Sequence, residues 1–380
     1  MKPLQGLIVL DFAQFLAGPS AALRLADLGA TVIKIERPVT GDICRQLYIT
    51  NLELDGDSTL FHTINRNKRS YAADLKNPEH LAKVKKLVAL ADVMIQNFRP
   101  GVMKKIGLDA EAALAINPRI VYGSVTGYGE IGPWADLPGQ DLLAQSRSGL
   151  MWLCGNADDG PVPVGLSVAD LMAGAHLVQG ILAGLVQRGV TGKGSTVDVS
   201  LMESVLDLQF EFLTTHLNDG GLLPERSAVR NASAYLAAPY GVYETSDGFI
   251  ALAMGAIPVL GGLIGCAKLA QFASPKSWFT DRDQIKRILV AHMKTQTNAV
   301  WLEWLEAADY WCAPVMNWRE LLAHDGFKSL DFLQTVTRDN GSSLRTTRCP
   351  IRIDGQNLKA ERGAPTVGEH NDYVERTFGL

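Results

Sequence analysis

The residue types able to do chemistry are concentrated in a few segments. Asp170 opens the apolar run LMAGAHLVQGILAGLV, where a helix is predicted to begin. Free backbone N–H groups and the helix dipole favour an ionised carboxylate there. On the residues alone, a helix-capping aspartate worth about 1 kcal/mol is the plainer reading. The alternative is a nucleophile with oxyanion donors beside it. His176, nearly two turns further on, reads as a satisfied core histidine rather than a second base. Gln140 and Asp141, in LPGQDLLAQ, precede another predicted helix that Asp141 is placed to cap.

Cations recur where strands are predicted to end: Arg37, the run Asn65-Arg66-Asn67-Lys68-Arg69, then Asn97-Phe98-Arg99 and Lys104-Lys105. Any one of them alone reads as a solvated loop. Together, at the carboxyl edge of an open α/β sheet, they can converge on a polyphosphate. A dinucleotide reading fares worse. Glu36 closes the second strand where a ribose carboxylate would stand, but the preceding turn, FAQFLAGPS, has one glycine, Gly18, followed by Pro19 in place of G-x-G-x-x-G.

These residues need elements to position them. GLIVLDFA reads as strand, GPSAALRLADLGA as helix and TVIKIERP as strand, a βαβ unit and so a parallel sheet. KNPEHLAKVKKLVALA, DVMIQNF, EAALAIN and RIVYGSVTGYG continue the alternation, so an open doubly wound α/β sheet is expected over about the first 145 residues. STVDVSLMESVLDLQFEF adds a strand entering a helix. A polar stretch at 217–234 reads as a linker. YGVYETSDGFIALAM then predicts a β-hairpin, helices follow to about 325, and SLRTTRCPIRIDG predicts a strand pair returning to the core. The expected division is a large domain over 1–216 with a return at 326–380, and a small α+β domain over 235–325.

The chain has 380 residues, 47% hydrophobic and 20% charged, with a net charge of -4, so the whole molecule has no attraction for nucleic acid or an anionic membrane. Cys44, Cys154, Cys266, Cys312 and Cys349 are scattered without metal-ligand spacing and read as reduced, cytoplasmic thiols. The N-terminal segment carries no expected export signal. The run Val168 to Val186 is long enough to span a membrane, but Asp170, His176 and Gln179 inside it favour a buried core helix. Trp301, Trp304, Trp311 and Trp318 read as core or partner-facing residues, or as a wall of an acyl pocket.

LDFAQFLAGP, ADLGATVIKIERP followed by GD, NRNKRSYAADLKN, ADVMIQNFRPG, SVTGYGEIGP, VGLSVADLMAG and GKGSTVDVSLMES stand in an order and spacing that resemble the class III CoA-transferases of the formyl-CoA transferase type. The scaffold is shared with α-methylacyl-CoA racemases. The resemblance implies a Rossmann-like large domain, a small domain and a homodimer of interlocked rings. It implies coenzyme A or acyl-CoA as substrate, a carboxylic acid as partner substrate, and no permanently bound cofactor or metal. It places CoA contacts at Phe15, Leu16, Ala17, Arg37, Asn67, Lys68, Asn97, Phe98, Arg99 and Lys105, and the acyl-carrying carboxylate at Asp170.

Without ATP, CoA moves between carboxylates through a mixed anhydride and an aspartyl-CoA thioester, both formed on one enzyme carboxylate. A racemase needs two competent bases, and Gln140 stands where the racemases carry a histidine. The residue favours transfer over racemisation and is free to position a carboxylate. A catalytically silent CoA-binding homologue is the third reading, against which Asp170 itself argues. AMGAIPVLGG, around Gly255, lacks the glycine run of the formyl-CoA transferases, which argues against formyl-CoA or oxalate as substrates.

Overall fold

The computed structural model describes residues 2–48 and 51–380. Its contacts divide it into two compact units, one of Met1–Ala144, Ser167–Leu208 and Asp331–Leu380, the other of Gln145–Leu166 and Gln209–Leu330.

The first unit follows the predicted alternation: β1 (Ile8–Asp11), α1 (Ala17–Asp27), β2 (Thr31–Glu36), β3 (Arg69–Ala72), α2 (Pro78–Leu90), β4 (Val93–Gln96), α3 (Ala110–Ile116), β5 (Val121–Thr126), the start of α4 (Asp141–Arg147, which continues into the second unit), α5 (Val168–Thr191), β6 (Ser195–Ser200) and α6 (Leu201–Asp207). The six strands form one parallel sheet in the order β3-β2-β1-β4-β5-β6. Alternation sets the two faces. Leu10, Ile33, Met94 and Tyr122 pack with Val84 and Leu87 of α2 and Ala113 of α3. On the other face Gly123 meets Leu177 and Ile181 of α5.

The small residues of α5 explain how close it lies. A methyl group at Gly174 would stand 2.3 Å from Ser20 Oγ and 2.9 Å from the Ala17 carbonyl, and one at Gly180 would stand 2.3 Å from Val197. The helix is long and apolar enough to cross a membrane. Here it lies on α1 and the sheet, and only one face is buried: Ala169, Ala173, Leu177 and Ile181 are covered while Val186 and Val190 are exposed. The core helix expected from the sequence is covered on one face.

β3 was not visible as a strand because RSYA is short and polar. The closing segment returns to this unit, with Val374 of the helix Asn371–Phe378 entering the sheet core. A strand pair, Leu333–Thr337 with Ser343–Thr347, precedes it.

The second unit holds α7 (Phe210–Asn218), β7 (Gly241–Glu244), β8 (Phe249–Leu252), α8 (Ile257–Leu263), α9 (Arg282–Met293), α10 (Asn298–Glu306) and β9 (Cys312–Pro314). The expected hairpin is β7 with β8, and β9 adds an antiparallel third strand. Tyr243, Ile250, Leu289 and Trp301 form its core. Trp304, Trp311 and Trp318 are exposed. The unit boundaries depart from the expected 1–216 and 235–325. Residues 145–166 and 209–234 group with the second unit, because Arg226 and Asn231 donate to the Cys154, Gly155, Ala157, Asp159 and Gly160 carbonyls, and Arg282 and Lys286 of α9 donate in turn to the Glu225, Ala234 and Arg230 carbonyls. Such long-range bonds leave no compositional trace.

Replacing Gly174 with valine forces α5 off α1. The expected cost is roughly 1–3 kcal/mol, seen as a lowered midpoint in thermal denaturation. An unchanged midpoint would contradict this close packing.

Candidate active site

Parallel strands put all their carboxyl ends on one edge of the sheet. With β1 between β2 and β4, three of the expected segments meet there: the β1–α1 turn with Phe15, Leu16 and Ala17, then Arg37 after β2, then Asn97, Phe98 and Arg99 after β4. Phe15 is half exposed with φ of 63°, a left-handed conformation rare for an aromatic residue. Arg37 and Arg99 are exposed cations, as is Lys105 on the short helix Val102–Ile106. Arg99 and Lys104 wall a recess of about 290 Å³ with Phe98, Tyr122, Ser124 and Asp198. Phe98 also packs against the sheet core.

Two expected contacts are placed otherwise. Asn67 precedes β3, and its Nδ2 donates to the Ala26 carbonyl (3.1 Å) at the far end of α1 while its Oδ1 accepts from Glu361 N (3.2 Å). Lys68 is fully buried, with Nζ donating to Asp11 Oδ2 (2.8 Å), the Pro19 carbonyl (2.9 Å) and Asn65 Oδ1 (2.9 Å). With all three N–H groups engaged, no donor is left for a phosphate. Motif position alone does not distinguish a ligand-facing lysine from a scaffolding one.

That scaffold is a dry charge cluster. Lys34 Nζ lies 3.8 Å from Asp11 and 2.8 Å from Asp42, all three buried. Burial would raise the Asp11 carboxyl, but Lys34 and Lys68 more than reverse it and hold it below its usual range. Burial lowers Lys68 to about 8 against the pull of Asp11. Lys34 stays above its ordinary value because burial is outweighed by Asp11, Asp42 and Glu36.

Asp170 stands in the first turn of α5, one turn before Gly174 and on the same helical face. Gly174 packs so closely on Ala17 and Ser20 that this end of α5 runs along the start of α1. The environment of Asp170 differs from the expected one. Asp141 Oδ1 accepts from Ala169 N (2.7 Å) and Asp170 N (3.4 Å). The cap of α5 is therefore Asp141, from 29 residues upstream, and those two N–H groups are not open to an oxyanion. Burial first, and then the Asp141 charge, push the Asp170 carboxyl up to about 7. The carboxylate expected to be held ionised is held near neutrality.

Gln140 directly precedes α4, is exposed, and accepts from Ala144 N through its carbonyl (2.9 Å). His176 is satisfied as expected, with Nδ1 3.0 Å from Ser204 Oγ and Nε2 3.1 Å from Asp207 Oδ2. Asp339, Glu369 and His370 bring one metal-type donor atom each within 4.8 Å of one another. His370 makes a poor ligand, because Ser70 N (3.3 Å) and Arg362 Nη1 (3.4 Å), both donors, face its ring nitrogens.

Asp170, half-buried at the start of α5, and the cations at the carboxyl edge of the sheet are the groups of this unit with chemistry to offer. The family model CoA-transferase family III matches residues 4–371. The chain is 33% identical over 383 residues to a succinate–glutarate CoA-transferase of Agrobacterium fabrum, covering 98% of this chain and 94% of the relative. It is 32% identical to a formyl-CoA:oxalate CoA-transferase of Streptomyces coelicolor, covering 98% and 94%. Among solved structures, a CAIB/BAIF family protein from Brucella suis superimposes with a TM-score of 0.86 at 32% identity, covering 99% of each chain. The chain belongs to CoA-transferase family III and is a CoA-transferase.

The raised carboxyl has a consequence for stability. With a folded pKa near 7 against an ordinary 3.8, the folded chain keeps a proton that the unfolded chain has lost. This contribution is fully present below 3.8 and is lost as pH rises toward 7. Asp170→Asn is therefore expected to raise Tm at pH 8 by about 2 °C and to leave it unchanged near pH 4. A variant melting below wild type at pH 8 would contradict the placement of Asp170.

Proposed function

We propose that the protein is an acyl-CoA:carboxylate CoA-transferase working through Asp170, with a short dicarboxylate of succinate or glutarate size as acceptor. The observation that carries the reading is the half-buried Asp170 in the first turn of α5, its N-terminal N–H groups taken by Asp141, with a carboxyl that desolvation and then the Asp141 charge push up to about 7. Ionised, it is a poorly solvated and therefore strong nucleophile. Acylated, it loses the charge that burial and Asp141 both penalise, so the covalent forms relieve the strain of the free one.

Asp170 attacks the donor thioester carbonyl, the C–S bond breaks, and CoA thiolate leaves a mixed anhydride. The thiolate attacks the aspartyl carbonyl, releasing the donor acid and forming aspartyl-CoA. The acceptor carboxylate attacks this thioester, displacing CoA thiolate and forming a second anhydride. Attack by the thiolate on the acceptor's acyl carbon yields the new acyl-CoA and restores Asp170. Each bond broken is matched by one formed, and no net proton moves.

Phe15, Leu16, Ala17, Arg37, Asn97, Phe98, Arg99 and Lys105 are proposed to lie around bound CoA, since their segments share the sheet edge. Gln140, next to Asp141, is proposed to orient the acceptor carboxylate. The choice of dicarboxylate rests on the succinate–glutarate relative of Agrobacterium fabrum and on a human succinyl-CoA:glutarate CoA-transferase, 29% identical over 98% of this chain. A Rossmann-like reading of the large unit is part of the proposal and is supported by the parallel order β3-β2-β1-β4-β5-β6. An interlocked homodimer is part of the proposal. α7 has no buried residue although it carries Phe210, Leu213 and Leu217, and such apolar faces call for a cover. A cytoplasmic location is proposed from the free cysteines.

Incubation with succinyl-CoA and hydroxylamine should label the peptide carrying Asp170, and Asp170→Ala should lose roughly 10³-fold or more of turnover. The donor kcat/KM should rise with pH through about 7, as Asp170 ionises. Robust turnover with no label on Asp170 would overturn the proposal. Exchange of the α-proton without any acceptor would favour a racemase.

A further inference from the structure

We infer that the β1–α1 turn is a rigid platform for the acyl-CoA, held in a strained conformation by Asn97 and Lys68 acting as positioning residues. The inference rests on the proposed reading of CoA at this sheet edge.

The turn from Phe12 to Leu16 is bonded on every side. Phe12 N donates to the Ile95 carbonyl (2.9 Å) and Ala13 N to Asp11 Oδ1 (3.0 Å). Lys34 Nζ reaches across from β2 to the Ala13 carbonyl (2.8 Å). Asn97, at the end of β4, grips Gln14 twice, with Oδ1 accepting from Gln14 N (2.8 Å) and Nδ2 donating to the Gln14 carbonyl (2.7 Å). Lys68 joins Asp11 at the start of the turn to the Pro19 carbonyl in the first turn of α1. Below it, a methyl group at Gly18 would stand 2.3 Å from the Ala13 side chain, so the turn has no room to settle.

Phe15 follows this gripped segment directly, and it alone has left-handed backbone within it. An aromatic residue does not adopt that conformation unaided, because its Cβ crowds the carbonyl that follows. The side chain is nevertheless half exposed, with 48% of its surface open, so the strain does not serve burial of the ring. A strained, exposed aromatic residue over-determined by five hydrogen bonds to its neighbours is a surface fixed in advance for a ligand. Asn97 and Lys68 thus act through the turn. Asn97 spends both side-chain groups on Gln14, and Lys68 is sealed from solvent.

A turn that samples other conformations would bind acyl-CoA in proportion to the competent fraction. Asn97→Ala, on the accessible side, and Lys68→Met, on the buried side, should therefore raise KM for acyl-CoA about tenfold while changing kcat less than about threefold. The KM of the acceptor acid should stay put, and CoA affinity measured by calorimetry should fall in parallel. A general loss of structure would move all of these together, and thermal melts of both variants monitor it. The decisive arm is a cycle with Phe15→Ala. Once the aromatic ring is gone, Asn97→Ala should cost less than about threefold in KM. Full additivity would show Asn97 acting on its own and overturn the inference, as would unchanged CoA affinity in both single variants. Wild-type protein that binds no CoA would instead overturn the reading of the site on which the inference rests.

Discussion

The desolvation of Asp170, reinforced by the charge of Asp141, is the constraint on which the proposed chemistry of this site depends. Asp141 holds the first N–H groups of α5, and so fixes where that helix begins. By taking those donors it also denies them to Asp170, whose own carboxyl is left half-buried and desolvated near a like charge. A carboxylate can be stabilised by a helix N-terminus or be made reactive near one. Here one aspartate has the first role, and the second is proposed for its neighbour. Covalent transfer suits that arrangement, because an acyl or thioester group on Asp170 is neutral and meets no penalty.

Position follows from packing of a different kind. α5 carries glycine where it crosses α1 and β6, which brings the first turn of α5 beside the first turn of α1. The β1–α1 turn is in turn anchored to a charge cluster of Asp11, Lys34, Lys68 and Asp42, closed to water. Buried ion pairs contribute little to stability against apolar replacements, so their value here is geometric. They tie β1, β2 and the entry to β3 to one segment of backbone. The proposed nucleophile and the proposed CoA platform thereby share one base.

Much of this was legible in the sequence where a period was strong. β1, β2, β4, β5 and the β7–β8 hairpin follow apolar runs bounded by turn residues, and the parallel order follows from the βαβ alternation. β3 escaped because Arg69-Ser70-Tyr71-Ala72 shows no apolar alternation, its Ser70 donating to Glu36 inside the sheet. The helix at Asp170 was readable, but its capping residue was not, since Asp141 reaches it from another segment. The same limit applied to Lys68 and Asn67. A basic motif at a predicted strand end looks the same whether its side chains point to a ligand or into the scaffold, and only the partners Asp11, Pro19 and Ala26 decide.

The central claim, that Asp170 itself carries the group, is tested most directly by following oxygen. With an acceptor dicarboxylate labelled with ¹⁸O in its carboxylates, each turnover should leave one acceptor oxygen in the Asp170 carboxylate, because the final thiolate attack cleaves the anhydride on the acceptor side. Mass analysis of the Asp170 peptide after turnover should show that label. Label passing into the released donor acid while Asp170 stays unlabelled would mean that the two substrates form their anhydride directly, and would contradict the account.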